Sequence, residues 1–478
     1  MGKIILTWIH IIFLLSSIFW GAITVQAKSD DDIRVCLSKG SYSAVFRVVQ
    51  GNYSLQDMGT LLPIIDLKPG DVVTVNQAGK IITVTVNEKQ LTGSFTGNVL
   101  AAPQDEDSLN VFSYKNTLYR DGISLTIDSG SLLVVNKVNI EHYLYGVVGQ
   151  EIGYTAPEEA LKAQAVVSRT FALFSKGQNI RYDVGSDTYS QVYGGYSAEQ
   201  NINAGKIINA VNDTKGRVIY YNNEIIQAVF HSNAGGYTEN SENVWNEALP
   251  YLQAVSSQED KYAETYSNET GDSWPVTCYR WEKSFSLDQI EEAIRSYNQK
   301  TTSPIDIGEF QSINLYRVNR DEVTPTLSGR VTRMELVGSK GKASVYRDNI
   351  RSVFDLKSTK FDIVSEGSPT MEYVIKDSNG KKHQAEDIDS LMVIDGQNNL
   401  VQVDISQETC QIIGESGKSE QNQAVTEITF IGQGYGHGLG MSQWGARGMA
   451  LEGYDYREII DHYYNQGKDD GTISIKRY

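Results

Sequence analysis

The stretch from Val138 to Lys176 constrains the fold more than any other part of the chain. Its sequence, VNIEHYLYGVVGQEIGYTAPEEALKAQAVVSRTFALFSK, predicts a strand, a tight loop and then a long helix. Thr155 and Glu158 have the spacing of a capping box, and Pro157 falls in the first helical turn. No Gly or Pro interrupts the helix that follows, and small or apolar residues occupy nearly every side of it. The pattern predicts a buried helix, with one carboxylate, Glu151, in the loop before it.

Four polar residues interrupt the apolar surface of this helix. They are Lys162, Gln164, Ser168 and Arg169. Because buried polar groups need hydrogen-bond partners, these side chains must face a polar network, a cleft or water.

The chain on either side of this stretch predicts an α+β fold. Residues 28–133 contain short β-branched runs such as IRVCL, DVVTV and IITVTV, which are typical of strands. Residues 134–478 are expected to form a mixed core in which the long helix packs on β-sheet. Within that core the composition becomes polar between about 366 and 425, which predicts a peripheral insertion with some strand content.

The N-terminus is predicted to direct export. Lys3 precedes an apolar run, and Val25-Gln26-Ala27 resembles a small-residue cleavage site. The run is also near the lower length limit of a membrane span, so residues 1–27 are expected to be a signal peptide or a single anchor. Either alternative predicts that the rest of the protein is exported across the cell membrane.

Net charge and cysteine content argue against several classes of protein. The 59 acidic residues outnumber the 42 Lys and Arg, and the resulting charge of −17 argues against a nucleic-acid binder. Cys36, Cys278 and Cys410 are far apart and lack metal-type spacing. The fold is therefore not expected to depend on disulfides, and no cofactor is implied.

Two further segments carry polar residues near predicted bends. A hairpin with Asn222-Asn223 at its turn leads to His231 and Ser232, directly before the bend NAGG. In the C-terminal segment GYGHGLGMSQWGA, glycines surround His437 and Gln443 and permit close approach of the backbone. Both segments are candidate site loops.

Serine hydrolysis, zinc catalysis and phosphate binding are weakly supported. Ser232 or Ser442 would have to pair with a histidine, yet no GxSxG elbow is present. GYGHGLG is not followed by GK[ST], as a phosphate loop would be. Neither HExxH nor CxxC occurs to support a zinc site, which would draw on His142, His231, His437 and His462.

Acid–base chemistry by Glu151 is the remaining interpretation. Its neighbours Val147, Val148 and Ile152 are apolar, and partial burial would raise its pKa towards neutrality. Hydrolysis of a sugar bond usually takes two carboxylates. A lyase-type cleavage by the sugar's own hydroxyl needs only one residue, as acid and then as base. From composition alone, however, a lone glutamate is more often a salt-bridged or surface residue.

Several blocks of the sequence resemble the stage II sporulation protein D / amidase-enhancer family. They run in order from about Val134 to the end, with only the 366–425 insertion outside the resemblance. The blocks are HYLYGVVGQEIG, EEALKAQAVVSRTFAL, SDTYSQVYGG, FHSNAGGYTE, SGRVTRMELVG and GYGHGLGMSQWGA. The resemblance implies an exported lytic transglycosylase that cuts peptidoglycan glycan between N-acetylmuramic acid and N-acetylglucosamine, leaving 1,6-anhydro ends. Sporulation members act on strands that an amidase has stripped of stem peptides.

The resemblance also implies roles for individual residues. The family's catalytic glutamate falls on Glu151, while Gly149-Gln150 stand where the family usually has Pro or Ala with Ser or Ala. Some members bind zinc through Cys and His before the SQVYGG-like block; residues 178–193 contain neither, so no zinc is expected here. Substrate contacts are implied for residues in the family's blocks, namely Lys162, Gln164, Arg169, Gln191, Tyr193, His231, Ser232, His437 and Gln443.

Lys162 and Arg169 suggest how stripped glycan would be recognised. They lie seven residues apart on one helical stripe and are predicted to pair with the exposed lactyl carboxylates of such strands. Structural pairing with Glu158, Glu159 or other acids is the equal alternative. Two other functions also stay open: a non-catalytic wall-binding module that stimulates a partner amidase, and a structural role among membrane-anchored wall-remodelling proteins.

Overall fold

The computed structural model describes residues 31–60, 62–91, 98–265, 278–366 and 427–478, and the backbone of four short strands between 373 and 402. The predicted leader, residues 1–27, lies outside these residues, as does most of the 366–425 segment. The described chain is a mixed α+β structure, as the sequence predicts. Within it, no helix is both long and apolar enough to cross a membrane.

The N-terminal region folds into two sheets. Its strands are β1 Asp32–Ser41, β2 Ser43–Gln50, β3 Tyr53–Asp57, β4 Pro63–Leu67, β5 Val72–Ala78, β6 Ile81–Val86, β7 Lys89–Gln90, β8 Asn98–Pro103, β9 Val111–Tyr114, β10 Thr117–Arg120, β11 Gly122–Asp128 and β12 Ser131–Asn139, joined later by β13 Val184–Gly185. One sheet has the order β13-β1-β12-β11-β8-β3-β4 and the other β10-β9-β2-β5-β6-β7. Burial alternates along β2, because successive side chains of a strand point to opposite faces.

Helices and short strands make up most of the chain that follows. The helices are α1 Ile140–Tyr145, α2 Val148–Ile152, α3 Glu158–Ser175, α4 Ala204–Asp213, α5 Ser241–Val244, α6 Tyr262–Thr265, α7 Leu287–Asn298, α8 Asn349–Phe354, α9 Gln443–Leu451 and α10 Tyr456–Asn465, with 3-10 turns at Gly195–Gln200 and Gln258–Lys261. The strands are β14 Arg217–Tyr221, β15 Glu224–Ile225, β16 Phe230–His231, β17 Gly236–Tyr237, β18 Ser256–Ser257, β19 Arg280–Ser286, β20 Phe310–Tyr316, β21 Arg333–Gly338, β22 Gly341–Tyr346, β23 Phe361–Glu366, β24 Tyr373–Lys376, β25 Lys382–Ala385, β26 Met392–Ile394, β27 Leu400–Gln402, β28 Glu427–Gln433, β29 Met441–Ser442 and β30 Ile473–Arg477.

The long helix predicted from the sequence is α3, and it is buried as expected. It packs against α4, α9, α10 and the strand β14, so helices and a small sheet both cover it. Gln164, Ser168 and Arg169 are all buried within it. The hairpin β14–β15 turns through Asn222 and Asn223, whose φ angles of 50° and 67° confirm the predicted two-residue turn.

The start of α3 differs from the prediction in two respects. Pro157 is the N-cap and no side chain caps the helix, so the predicted capping box is wrong. Thr155 lies too far from that position, and its hydroxyl accepts a hydrogen bond from Arg447 at 3.4 Å. Glu151 lies in the short helix α2 rather than in a loop, because Gly153, at a φ of 87°, ends the helix only after Ile152.

Two large hydrophobic cores and one small cluster around Cys278 and Trp444 organise the described residues. The larger core joins the N-terminal sheets to α1–α4, α9 and α10. The strand β12 spans the predicted boundary between the N-terminal region and the core at 133/134, and that boundary stays a prediction. The smaller core contains Trp281, Phe354 and Phe430 and is built by β19–β23, α7, α8 and β28.

The predicted insertion leaves and rejoins the fold at neighbouring strands. β23 and β28 are antiparallel, and Glu366 lies opposite Glu427. Between them β24 pairs with β25 and β26 with β27, which agrees with the predicted strand content. The rest of this segment lies outside the described residues.

Candidate active site

Glu151 is held by uncharged partners. Its Oε1 accepts a hydrogen bond from the backbone N–H of Val192 at 2.6 Å. Its Oε2 accepts one from Nε2 of Gln443 at 3.4 Å. Among the described residues no cationic side chain pairs with this carboxylate, so no neighbouring positive charge holds it in the ionised form.

The environment of Glu151 favours its protonated form. Burial of the carboxyl raises its pKa from 4.5 to about 7, although the bonds from Val192 and Gln443 act in the opposite direction. The residue as a whole is only partly buried. A group with a pKa near neutrality can both deliver and accept a proton at physiological pH.

A chain of amide and hydroxyl groups extends inward from Glu151. Nε2 of Gln443 lies 3.4 Å from Oε1 of Gln164, and Nε2 of Gln164 donates to the Ser168 hydroxyl at 2.9 Å. Gln191 bonds the Ser168 carbonyl at 3.4 Å and accepts from the Tyr143 hydroxyl at 2.8 Å. These are the partners that the polar residues of α3 required. The structure thus brings three predicted site residues, Gln164, Gln191 and Gln443, into one network with Glu151.

The C-terminal glycines explain how Gln443 reaches this network. β16 and β29 pair in parallel, with His231 opposite Ser442, and Ser442 caps α9 by accepting from the Gly445 N–H at 3.4 Å. A Cβ on Gly440 would lie 2.0 Å from the Val229 carbonyl oxygen, so no larger residue fits there. Gln443 is therefore placed as the first residue of α9, with its side chain at Glu151.

Arg447 is a site-forming residue that the sequence did not indicate. It is buried on α9, and Nη1 donates to the Ile152 carbonyl at 3.0 Å, at the end of α2. Its guanidinium lies 4.6 Å from the Trp444 ring centroid. The contact fixes α9 to the helix that carries Glu151. Because 295 residues separate the two partners, no local pattern could predict it.

Asp260 is the second residue that sequence reasoning missed. It is fully buried, and the Ser442 hydroxyl donates to its Oδ1 at 2.5 Å while the Gly236 N–H donates to Oδ2 at 3.1 Å. Burial raises the pKa of Asp260 to about 6, against these hydrogen bonds. Ser442 is therefore committed to Asp260 and to capping α9, not to a histidine as a serine nucleophile would be.

Lys162 and Arg169 are both held in ion pairs, and their predicted substrate contacts stay predictions. Arg169 is fully buried, and its guanidinium binds both carboxylate oxygens of Glu141, at 3.0 and 2.6 Å. Lys162 pairs with Glu158 at 2.6 Å and Glu159 at 2.9 Å. Structural ion pairs, the alternative reading, therefore account for both cations.

The remaining predicted site residues are Tyr193, His231, Ser232 and His437. In the described part of the chain none of them hydrogen-bonds to the Glu151 carboxylate. Tyr193 is buried behind Tyr143, with ring centroids 5.1 Å apart. His231 and His437 form a separate pair with ring centroids 5.5 Å apart, and burial lowers the pKa of both, that of His437 to about 4. Their predicted substrate contacts stay predictions.

Metal-binding side chains do not cluster in the described residues. No group of three His, Cys, Asp or Glu there lies close enough to hold an ion. Cys36 is partly exposed and Cys278 is buried, and both are free thiols. Cys410 lies outside the described residues.

Fold and site together define an α+β protein with one protonatable carboxylate in an uncharged polar network. The chain resembles the stage II sporulation protein D / amidase-enhancer family. Residues 128–221, which include Glu151, α3 and Gln191, match the family model described as "Stage II sporulation protein". Residues 239–377 match a second model, described as a domain of unknown function.

Curated relatives agree with this resemblance. The chain is 27% identical to stage II sporulation protein D of Bacillus subtilis (strain 168) over 73% of its own length and 79% of the relative. It is 26% identical to the protein of the same name from Bacillus amyloliquefaciens, over 74% and 80%. It is also 28% identical to the amidase enhancer of Bacillus subtilis (strain 168) over 67% of its own length, a match that spans 39% of that relative.

Proposed function

We propose that this protein is an exported lytic transglycosylase that cleaves peptidoglycan glycan strands, with Glu151 as both general acid and general base. The observation that carries the proposal is a carboxyl with a pKa of about 7 that has no cationic partner in the described residues. The similarity to these relatives supports a cell-wall role, since they are named for sporulation and for enhancing an amidase. The proposed substrate is glycan stripped of stem peptides, and no cofactor takes part.

The chemistry requires one group that changes role. Protonated Glu151 delivers its proton to the glycosidic oxygen as the bond from that oxygen to C1 of the muramic acid breaks. The C6 hydroxyl of the same sugar then bonds to C1, and its proton returns to the Glu151 carboxylate. The product carries a 1,6-anhydro ring, no water is consumed, and the enzyme ends in its starting protonation state.

The neighbours of Glu151 serve both halves of this cycle. Burial raises the pKa of Glu151 to about 7, so a large share of the acid still carries the proton that it must give near neutral pH. The Val192 N–H and the Gln443 amide then hydrogen-bond to the carboxylate formed by proton transfer. Asp260 binds Ser442 and Arg447 binds the Ile152 carbonyl, so they position the residues that adjoin Gln443 and Glu151 in the chain.

The test compares the wild type with Glu151→Gln on purified stripped glycan strands. Mass spectrometry of the products should find 1,6-anhydro ends with the wild type, and their rate of formation should fall about 100-fold or more in the variant. Glu158→Gln is the matched control, because the Glu158 carboxylate is 71% exposed at the start of α3. Anhydro ends from both proteins, or from neither, would overturn the catalytic assignment.

The second candidate function is stimulation of a partner amidase without catalysis. The specific observation in its favour is the match to a relative named amidase enhancer. A Glu151→Gln protein that activates a cell-wall amidase as well as the wild type does, while neither makes anhydro ends, would select this function. Full loss of amidase stimulation in the variant would reject it.

A further inference from the structure

Gln443 presents an amide to Glu151, and the two ends of an amide differ: the NH2 group donates hydrogen bonds, whereas the oxygen accepts them. Nε2 of Gln443 lies 3.4 Å from Oε2 of Glu151 and 3.4 Å from Oε1 of Gln164. One hydrogen of the NH2 group therefore points to each of these two oxygens. Because Gln443 is buried, bulk water does not compete for either position.

Gln164 determines which end of the Gln443 amide faces Glu151. Nε2 of Gln164 donates to the Ser168 hydroxyl at 2.9 Å, which turns Oε1 of Gln164 towards Gln443. If the Gln443 amide were reversed, its oxygen would face two other oxygens, one on Gln164 and one on the Glu151 carboxylate. Buried acceptors that face each other without a donor are costly, so the orientation of Gln164 fixes that of Gln443.

The helix α3 supplies this arrangement. Gln164 and Ser168 are four residues apart, so they lie on one face of the helix, one above the other. The helix α9 packs against α3 and brings Gln443 to that face. Gln164 and Ser168 are both fully buried. Their influence on the reacting atoms therefore passes through the Gln443 side chain.

The charged and titratable groups that surround Glu151 leave hydrogen bonding as the influence that favours its ionised form. From α1, Tyr143 stays neutral, because burial and then the charge of Glu151 raise its pKa well above the usual value. From α9, Arg447 is bound to the backbone at the end of α2, and the charged side chains of α3 are held in the ion pairs described above. Exposed charges on the other neighbouring segments lie at Asp187, Lys206 and Asp213.

We propose that Gln164 is a positioning residue for proton transfer at Glu151, because its side-chain oxygen holds the Gln443 amide with the NH2 group towards the carboxylate. Ser168 supports Gln164 by accepting its hydrogen bond. The proposal rests on the proposed function, since the oriented amide binds the carboxylate that exists after Glu151 has given its proton. This role differs from the substrate contact that the family resemblance implies for Gln164.

The test follows the pKa of the Glu151 carboxyl by 13C NMR of protein labelled at the glutamate Cδ. The Glu151 signal is the one that is missing from Glu151→Gln. Gln164→Met removes both polar ends of the side chain and keeps its length. We expect the pKa of Glu151 to rise by about 0.5–1, because the freed Gln443 amide no longer donates reliably to the carboxylate. Ser168→Ala should raise it in the same direction by a smaller amount.

A second comparison tests whether Gln164 acts through Gln443. Gln443→Leu should itself raise the pKa of Glu151, and adding Gln164→Met should then raise it by less than about 0.2 more, since the two groups form one network. Thr170→Val is the matched control on α3. It removes a buried hydroxyl that binds the Val166 carbonyl and the Ile219 N–H outside this network, and it should leave the pKa of Glu151 unchanged.

Each outcome decides one proposal. A pKa of Glu151 that stays within about 0.2 of the wild type in both Gln164→Met and Ser168→Ala would overturn the positioning role. An equal rise with Gln164→Met in the presence and absence of Gln443→Leu would overturn it as well. If Gln164→Met fails to fold, Ser168→Ala decides alone, because it removes a single oxygen atom. The expected pKa changes without 1,6-anhydro ends from the wild type would count against the proposed function alone. Anhydro ends with an unchanged pKa in the variants would count against the positioning role alone.

Discussion

Replacement of Glu151 by Gln should change how the stability of the protein depends on pH. In the unfolded chain the carboxyl titrates near 4.5, whereas in the folded protein its pKa is about 7. Below pH 4.5 both states hold the proton, so ionisation contributes nothing to unfolding. As the pH rises from 4.5 to 7 the unfolded chain releases the proton first, and the free energy of unfolding falls. Above pH 7 both states are ionised and the loss is complete.

The size of the effect follows from the two pKa values. They differ by about 2.5, and each pKa unit corresponds to about 1.4 kcal/mol, so the wild type should lose about 3 kcal/mol between pH 4 and pH 8. Glu151→Gln has no proton to release at this position. Its free energy of unfolding, measured relative to wild type, should therefore rise by about 3 kcal/mol over the same interval.

Urea unfolding of both proteins at half-unit steps from pH 4 to pH 8 measures this difference. Asp260 also has a raised pKa, but it titrates in both proteins and cancels in the comparison. Glu158→Gln provides the baseline, because an exposed substitution should shift stability by no more than about 0.5 kcal/mol at any pH. A flat difference between wild type and Glu151→Gln would refute the argument that burial keeps this acid protonated.

Three further predictions concern residues around the site. Arg169→Met should lower the free energy of unfolding by about 3–5 kcal/mol, since it leaves the buried Glu141 carboxylate without its partner; adding Glu141→Gln should restore part of the loss in urea denaturation. Gly149→Ala should cost about 1–3 kcal/mol through contact with the Tyr154 ring, and Tyr154→Ala in the same chain should recover most of its thermal stability. Lys162→Met should leave the affinity for carboxylate-bearing stripped glycan unchanged, because its charge is already paired; a tenfold weaker Kd by calorimetry would instead support the predicted substrate contact.

Local sequence patterns predicted the helices and turns, but they did not predict which residues pair with the buried polar side chains. The uninterrupted run of small and apolar residues predicted α3, and Asn222-Asn223 predicted the turn of the β14–β15 hairpin. Both features depend on residues that are neighbours in sequence. The polar residues of α3 were known to need partners, but not which ones. Arg169 is bound to Glu141, 28 residues earlier, so the charge seemed available when only the helix was considered.

The candidate site also combines residues that the sequence indicated with residues that only the tertiary structure shows. The resemblance to the family indicated Glu151, Gln164, Gln191 and Gln443, and the structure brings all four together. Arg447 and Asp260 were missed because their contacts span 295 and 182 residues and follow no spacing rule. Their roles depend on tertiary packing, which a single sequence does not express.

The pairing of Arg447 with the Ile152 carbonyl has a consequence for biosynthesis. Glu151 is translated well before the amide beside it and the arginine that anchors its helix, which follow 292 and 296 positions later at Gln443 and Arg447. A nascent or C-terminally truncated chain therefore carries the carboxyl without its surroundings. The surroundings of Glu151 are therefore complete only after α9 has been synthesised and has packed against α2.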